Sequence, residues 1–181
     1  MNHAEALALL ERAEPVCSAA DARLAVERLA AEITSRLGSE FPMVLAIMGG
    51  AVVFTGQLLP LLAFPLEFRA IEVTRYADTM AGGDIEWRLA PREDVRGRTV
   101  LVLDDILDEG VTLAAVRARL LAMGAARVLT AVFADKDTGR AKPIAADFIG
   151  MRVPDRYVFG FGMDAFGLWR NLPSVYALGG R

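Results

Sequence analysis

The chain has 181 residues, 20 Lys+Arg against 23 Asp+Glu for a net charge of −3, and a single cysteine, Cys17. That length suits one domain with one sizeable core, and a pI near 5.3 is no footprint for a polyphosphate backbone, which argues against general nucleic-acid binding. A lone cysteine forms no internal disulfide and points to a reducing, cytoplasmic setting.

A first helix is expected over about 4–13; the residues ahead of it, Met1-Asn2-His3, carry no basic run, so no signal peptide is expected. Ser18 with Asp21 three positions on reads as the cap of a helix over Ala19–Leu37, where Leu24, Val26, Leu29, Ile33 and Leu37 recur near helical spacing until Gly38. From Phe41 to Leu66 there is no formal charge, in a chain that is 54% hydrophobic. A membrane span needs about 20 predominantly apolar residues. Here Pro42, Gly49-Gly50, Gly56-Gln57, Pro60 and Pro65 break the run, so it reads as buried core, and no membrane partner is expected. It divides into a buried strand, Met43–Met48, a Gly-Gly loop and an apolar helix from about Ala51 to Leu62. Leu66–Arg75 alternates polar and apolar residues as an exposed or edge strand does. Tyr76–Asp84 (YADTMAGGD) has the composition of a mobile loop. Thr99–Leu103 is a buried strand, Thr112–Met123 an amphipathic helix closed by Gly124, and Arg127–Phe133 a further buried strand. Strand, helix and strand in that order predict right-handed parallel connections in an α/β sheet. After Gly160 the pattern loosens into FGFGMDAFGLW, and no internal repeat or linker divides the chain.

Chemistry concentrates in Thr99–Leu113, TVLVLDDILDEGVTL. An apolar strand delivers Asp104 and Asp105, then Asp108-Glu109-Gly110 turns the chain through Val111 into a helix near Thr112. Ligands of open α/β sheets bind beyond the carboxyl ends of the strands, and a helix N-terminus offers unpaired N–H groups to a phosphate. Gly110 permits close backbone approach, Thr112 adds a hydroxyl, and the two carboxylates can accept from sugar hydroxyls. Three other readings compete. Asp104–Asp108 spells the DDxxD of isoprenoid synthases, which belongs on helices of all-α proteins. A phosphoaspartate site of receiver or haloacid-dehalogenase type, the latter wanting an Asp-x-Asp that is absent, is the second. The third is a solvated acidic turn. Lys136 stands out because only it and Lys142 are lysines and the other cations are arginine. A compact ammonium is selected there, unless it is a surface lysine in a turn. Tyr157, in a Tyr-Val-Phe strand, reads alone as core or as a stacking platform; Asp164 and Arg170 carry little by themselves, and His3, Trp87 and Cys17 read as structural or surface residues.

The pattern of apolar strand, acidic pair, Asp-x-Gly-x-Thr and helix resembles the phosphoribosyl-pyrophosphate signature of type I phosphoribosyltransferases. Four separated segments, in order between Val44 and Leu178, resemble the hypoxanthine-guanine branch. The resemblance implies one domain over 1–181: an α/β fold with a mostly parallel twisted sheet flanked by helices, the core over about 38–150, and a small hood from about 1–37 and 151–181. It implies that Asp104 and Asp105 bind the ribose hydroxyls, and that Asp108, Glu109, Gly110, Val111 and Thr112 cradle the 5-phosphate. Asp108 is the candidate acid/base at purine N7. Met48, Gly49, Gly50 and Arg170 would serve pyrophosphate, while Lys136, Tyr157, Val158 and Asp164 would serve the purine. Mg²⁺ is implied, with Asp104, Asp105 and Asp164 as its carboxylates. Lys136, a donor without acceptors, favours a 6-oxopurine over adenine. Two positions depart from the family: Met48 stands where Lys or Arg is common, and Arg75-Tyr76 replaces the Ser-Tyr that opens the mobile loop, so Arg75 is expected to bring charge to the closed site. The implied product is IMP or GMP, and the implied assembly a homodimer or homotetramer. The competing reading is a non-catalytic, nucleotide-sensing relative.

Overall fold

The computed structural model describes residues 1–75 and 85–179. It begins with α1 (His3–Glu11), β1 (Glu14–Cys17) and α2 (Ala19–Leu37). Asn2 and Glu5 exchange side-chain-to-backbone hydrogen bonds across the first turn of α1, and Ser18 Oγ accepts the Asp21 N–H at 3.2 Å to start α2. The buried stripe of α2 is Ala22, Val26, Leu29, Ala30, Ile33 and Leu37. Leu24, expected among them, lies off that stripe and is exposed.

The main sheet holds β2 (Met43–Met48), β3 (Glu67–Arg75), β4 (Ile85–Leu89), β5 (Thr99–Leu107), β6 (Arg127–Asp137) and β7 (Phe148–Pro154), in the order β4-β3-β2-β5-β6-β7. All neighbours are parallel except β3 and β4. β3 therefore lies inside the sheet rather than at its edge, because β4, which the sequence does not announce, covers it. Strands β5 and β6 also outrun their apolar segments. Asp104 and Asp105 lie within β5, and Lys136 lies in β6 instead of a turn.

Alternate residues of β2 and β5 enter opposite halves of the core. Val44, Ala46, Leu101 and Leu103 pack with α2 and with α3 (Val52–Leu58). Met43, Leu45, Ile47, Val100 and Val102 pack with Leu113, Val116 and Leu120 of α4 (Val111–Ala122). Burial on both faces is why these strands read as continuous apolar runs. The helix expected over Ala51–Leu62 is α3 followed by a 3-10 turn, Leu59–Leu61, where Pro60 has no N–H to continue the ladder.

A second, antiparallel sheet, β1-β9-β8, joins the two ends of the chain through β8 (Val158–Phe159) and β9 (Val175–Ala177). β1 has no counterpart in the sequence reading. Among the described residues no helix is long and apolar enough to cross a membrane.

The main sheet places the site. From β2 the chain moves outward to β3 and β4, then returns to β5 on the other side of β2. Such a reversal opens a crevice at the strands' carboxyl ends. Pairing of β2 with β5 stops at Ala46–Leu103, so Ile47–Gly50 and Asp104–Asp108 diverge around it.

Candidate active site

A cavity of about 440 Å³ fills that crevice. Met48, Gly49, Gly50, Asp104, Asp105, Asp108, Gly110, Thr112, Asp164 and Arg170 all line it, which brings together ten residues drawn from three distant stretches of sequence. Gly50 is required by contact: a Cβ there would collide with the Asp105 carboxylate. Gly110 is required by conformation, since its φ of 81° is left-handed and sets the N-terminus of α4 against the cavity. The peptide joining Met48 to Gly49 is cis.

The acidic pair is held by its own strand. Asp104 is buried, and its Oδ1 accepts the Asp105 N–H at 3.0 Å. Asp105 Oδ1 accepts the Ile106 N–H at 2.9 Å. Burial pushes the Asp105 carboxyl above the usual range; hydrogen bonds from Asp104 and the Ile106 backbone, then the Arg170 guanidinium, pull it back only partly. Across the cavity Arg170 Nη2 pairs with Asp164 Oδ1 at 2.6 Å, and Arg170 Nη1 donates to the Gly162 carbonyl at 2.7 Å. Asp164 Oδ2 also accepts the Gly167 N–H at 2.8 Å, so both side chains are fixed before any ligand arrives.

Lys136 does not line the cavity, yet it reaches it through Asp108: Lys136 Nζ donates to Asp108 Oδ2 at 2.6 Å, and the ammonium stem is 11% exposed. Glu109 and Val111 line an adjoining cavity of about 320 Å³, which shares Asp108. Tyr157 is exposed and stacks on Phe166, centroids 5.8 Å apart and planes 12° from parallel. Val158 is buried in β8. Because the Leu178 N–H donates to the Tyr157 carbonyl at 2.9 Å, the Val158–Ala177 pair is the non-hydrogen-bonded kind, and Val158's own N–H and carbonyl face the open edge of the small sheet. The backbone of Arg75 pairs with Ile85 at the end of β3; its side chain, Tyr76 and the expected loop to Asp84 lie outside the described residues.

Sequence reasoning missed three of the residues in this region. Glu72 and Thr74 of β3 line the cavity, and Glu72 sits in register beside Met48, so an acid adjoins the position where a cation is usual in the family. Glu72 is itself 3.6 Å from Arg88. Lys142, from the loop after β6, is the third; its rarity as a residue type was the available signal. Among the described residues, then, the cavity is lined by five carboxylates, Glu72, Asp104, Asp105, Asp108 and Asp164, against the single cation Arg170. No group of three His, Cys, Asp or Glu among the described residues could hold a metal by protein ligands alone.

Fold and cavity define the class, an α/β protein with a polar switch-point cavity of the size and donor set that suit a phosphorylated sugar. Residues 19–165 match the family model described as the phosphoribosyl transferase domain, and the chain belongs to that family. It is 32% identical over 154 residues to a hypoxanthine-guanine phosphoribosyltransferase of Bacillus subtilis, covering 84% of this chain and 86% of that one. It is 34% identical over 158 residues to the Aquifex aeolicus enzyme of the same name, covering 86% and 89%. Among solved structures, a hypoxanthine phosphoribosyltransferase of Trypanosoma cruzi, in a ternary complex with substrates, superposes with a TM-score of 0.85 at 26% identity over 93% of this chain and 96% of that one.

Proposed function

We propose that this phosphoribosyltransferase moves the 5-phosphoribosyl group from phosphoribosyl pyrophosphate to N9 of hypoxanthine or guanine, releasing pyrophosphate and IMP or GMP. The observation that carries the reading is the Lys136–Asp108 pair, whose carboxylate lines the 440 Å³ cavity. O6 and N7 lie side by side on one edge of a 6-oxopurine. Lys136 keeps two donors beyond its bond to Asp108 and gives one to O6. Asp108 keeps Oδ1 for N7, taking its proton as N9 attacks C1 of the sugar. The two side chains thus read adjacent atoms as one unit, with Tyr157 stacking on the base and Val158 meeting it through backbone. Adenine presents an amino group to Lys136, donor against donor, at a cost of about 1–3 kcal/mol.

The cradle from Asp108 to Thr112, with Glu109, Gly110 and Val111, receives the 5-phosphate on the N-terminus of α4. Asp104 and Asp105 accept from the ribose hydroxyls, while Arg170 and the backbone of Met48–Gly50 face the departing pyrophosphate.

Five carboxylates around a site for a polyanion fit magnesium, a hard cation that uses one or two carboxylates plus substrate phosphates and keeps several waters. One or two of Asp104, Asp105 and Asp164 would hold it together with substrate phosphates, and when bound it would neutralise the pyrophosphate charge. The setting is cytoplasmic and the assembly a homodimer or homotetramer, with no nucleic-acid or membrane partner.

The test is pyrophosphate release from phosphoribosyl pyrophosphate and magnesium with each of hypoxanthine, guanine, xanthine and adenine. Release with hypoxanthine or guanine and little with adenine is expected. No release with any base overturns the reading in favour of a binding protein.

A further inference from the structure

The chain's two lysines meet at the site although they lie six residues apart. Leu107 and Asp135 form the last pair of the β5–β6 ladder. Beyond it β5 turns away into Asp108 and the cradle, while β6 runs on through Lys136 along β7. The ammonium of Lys142 fills the fork. Its Nζ donates to the Leu107 carbonyl at 2.7 Å, to the Lys136 carbonyl at 2.6 Å and to Asp135 Oδ1 at 2.7 Å, with the side chain 14% exposed. An ammonium has three N–H donors, and all three are spent. Two of them grip the peptide units that join Leu107 to Asp108 and Lys136 to Asp137. Asp135 balances the charge.

We infer that Lys142 is a positioning residue for base recognition: it sets the spacing between Asp108 and Lys136 so that the pair matches O6 and N7 of the purine. The inference rests on the proposed transferase reading. Lys142 does not line the 440 Å³ cavity; it extends the strand pairing by one rung where the backbone ladder ends. The residue type follows from the geometry. Three acceptors around one point suit a tetrahedral ammonium, whereas a guanidinium presents its donors in a planar fork. That explains a lysine here in a chain whose other cations, Lys136 apart, are arginines.

The experiment compares wild type, Lys142→Met, Lys142→Arg, Lys136→Met and the double variant Lys136→Met/Lys142→Met by pyrophosphate release, with both substrates varied. Each Lys142 variant is expected to lose about 10²-fold in kcat/KM for the purine, the scale of an ångström's misplacement, while KM for phosphoribosyl pyrophosphate stays within about threefold. The double variant is expected to lose less than the product of the two single losses, because Lys142 acts through Lys136 and Asp108. Equal losses toward both substrates, additive losses in the double variant, or no loss overturn the inference. If Lys142→Met does not fold, Lys142→Arg is read in the same way; failure of both to fold makes Lys142 a structural residue only and also overturns it. A wild type that releases no pyrophosphate overturns the transferase reading beneath, whereas an active wild type with unaffected variants overturns only the role of Lys142.

Discussion

Asp105 carries the plainest conflict between stability and use. Its carboxyl is pressed against Gly50 and is driven upward in pKa chiefly by burial. A raised value means that the folded chain favours the neutral form, so the contribution to stability is full below the unfolded value of 3.8 and is lost as pH rises through the folded one. The charged form is therefore a cost at neutral pH in the free protein. Asp105→Asn is expected to raise the Tm of the ligand-free protein at pH 7 by a few degrees and to flatten its fall with pH, while weakening binding of phosphoribosyl pyrophosphate. Thermal melts over a pH series check the sign; a variant that melts lower at pH 7 contradicts the strain on this carboxyl.

At the scale of elements, the junction of β5 with α4 organises the site. Within one short stretch the strand supplies Asp104 and Asp105, the turn supplies Asp108, and a left-handed Gly110 swings the helix so that its first turn faces the same cavity. A side chain at Gly110 is strained by its φ of 81°, and a Cβ there comes within 3.3 Å of Ile144 and Leu107. Gly110→Val is expected to cost about 1–3 kcal/mol and to raise KM for phosphoribosyl pyrophosphate more than KM for the purine, because the displaced N-terminus is the proposed phosphate cradle. Steady-state kinetics with each substrate varied will show the split; a larger change for the purine would assign this turn to the base instead. The proposed pyrophosphate side carries little positive charge: Met48 adjoins Glu72 in the paired strands, and Arg170 is the one cation lining the cavity among the described residues.

Across the whole molecule, the crevice exists because the sheet reverses direction at β2, and the small sheet exists because the two chain ends find each other. The apolar excess also finds its place at this scale. From the chargeless stretch, Phe54 and Leu58 enter the core, whereas Val52 and Leu61 on the outer side of α3 and its 3-10 turn stay exposed. That surface is where a second subunit is expected to pack, and the mass in solution checks it: a dimer or tetramer is expected, and a monomer at working concentration removes the interface.

The sequence by itself determined the β5–turn–α4 unit, the Gly-Gly loop after β2 and the buried α/β sheet, and it singled out Lys136 by residue type. Each is written in contiguous residues, where periodicity, glycine placement and local spacing report a residue's own surroundings. It said less of β1, β4, Glu72 and Lys142. Only the tertiary structure decided that Arg170 and Asp164 pair inside the cavity, that Lys136 already holds Asp108, and that Lys142 closes the fork between two strands. Those outcomes depend on the register between strands and on where loops return. That information lies in long-range packing and not in the spacing of neighbouring residues.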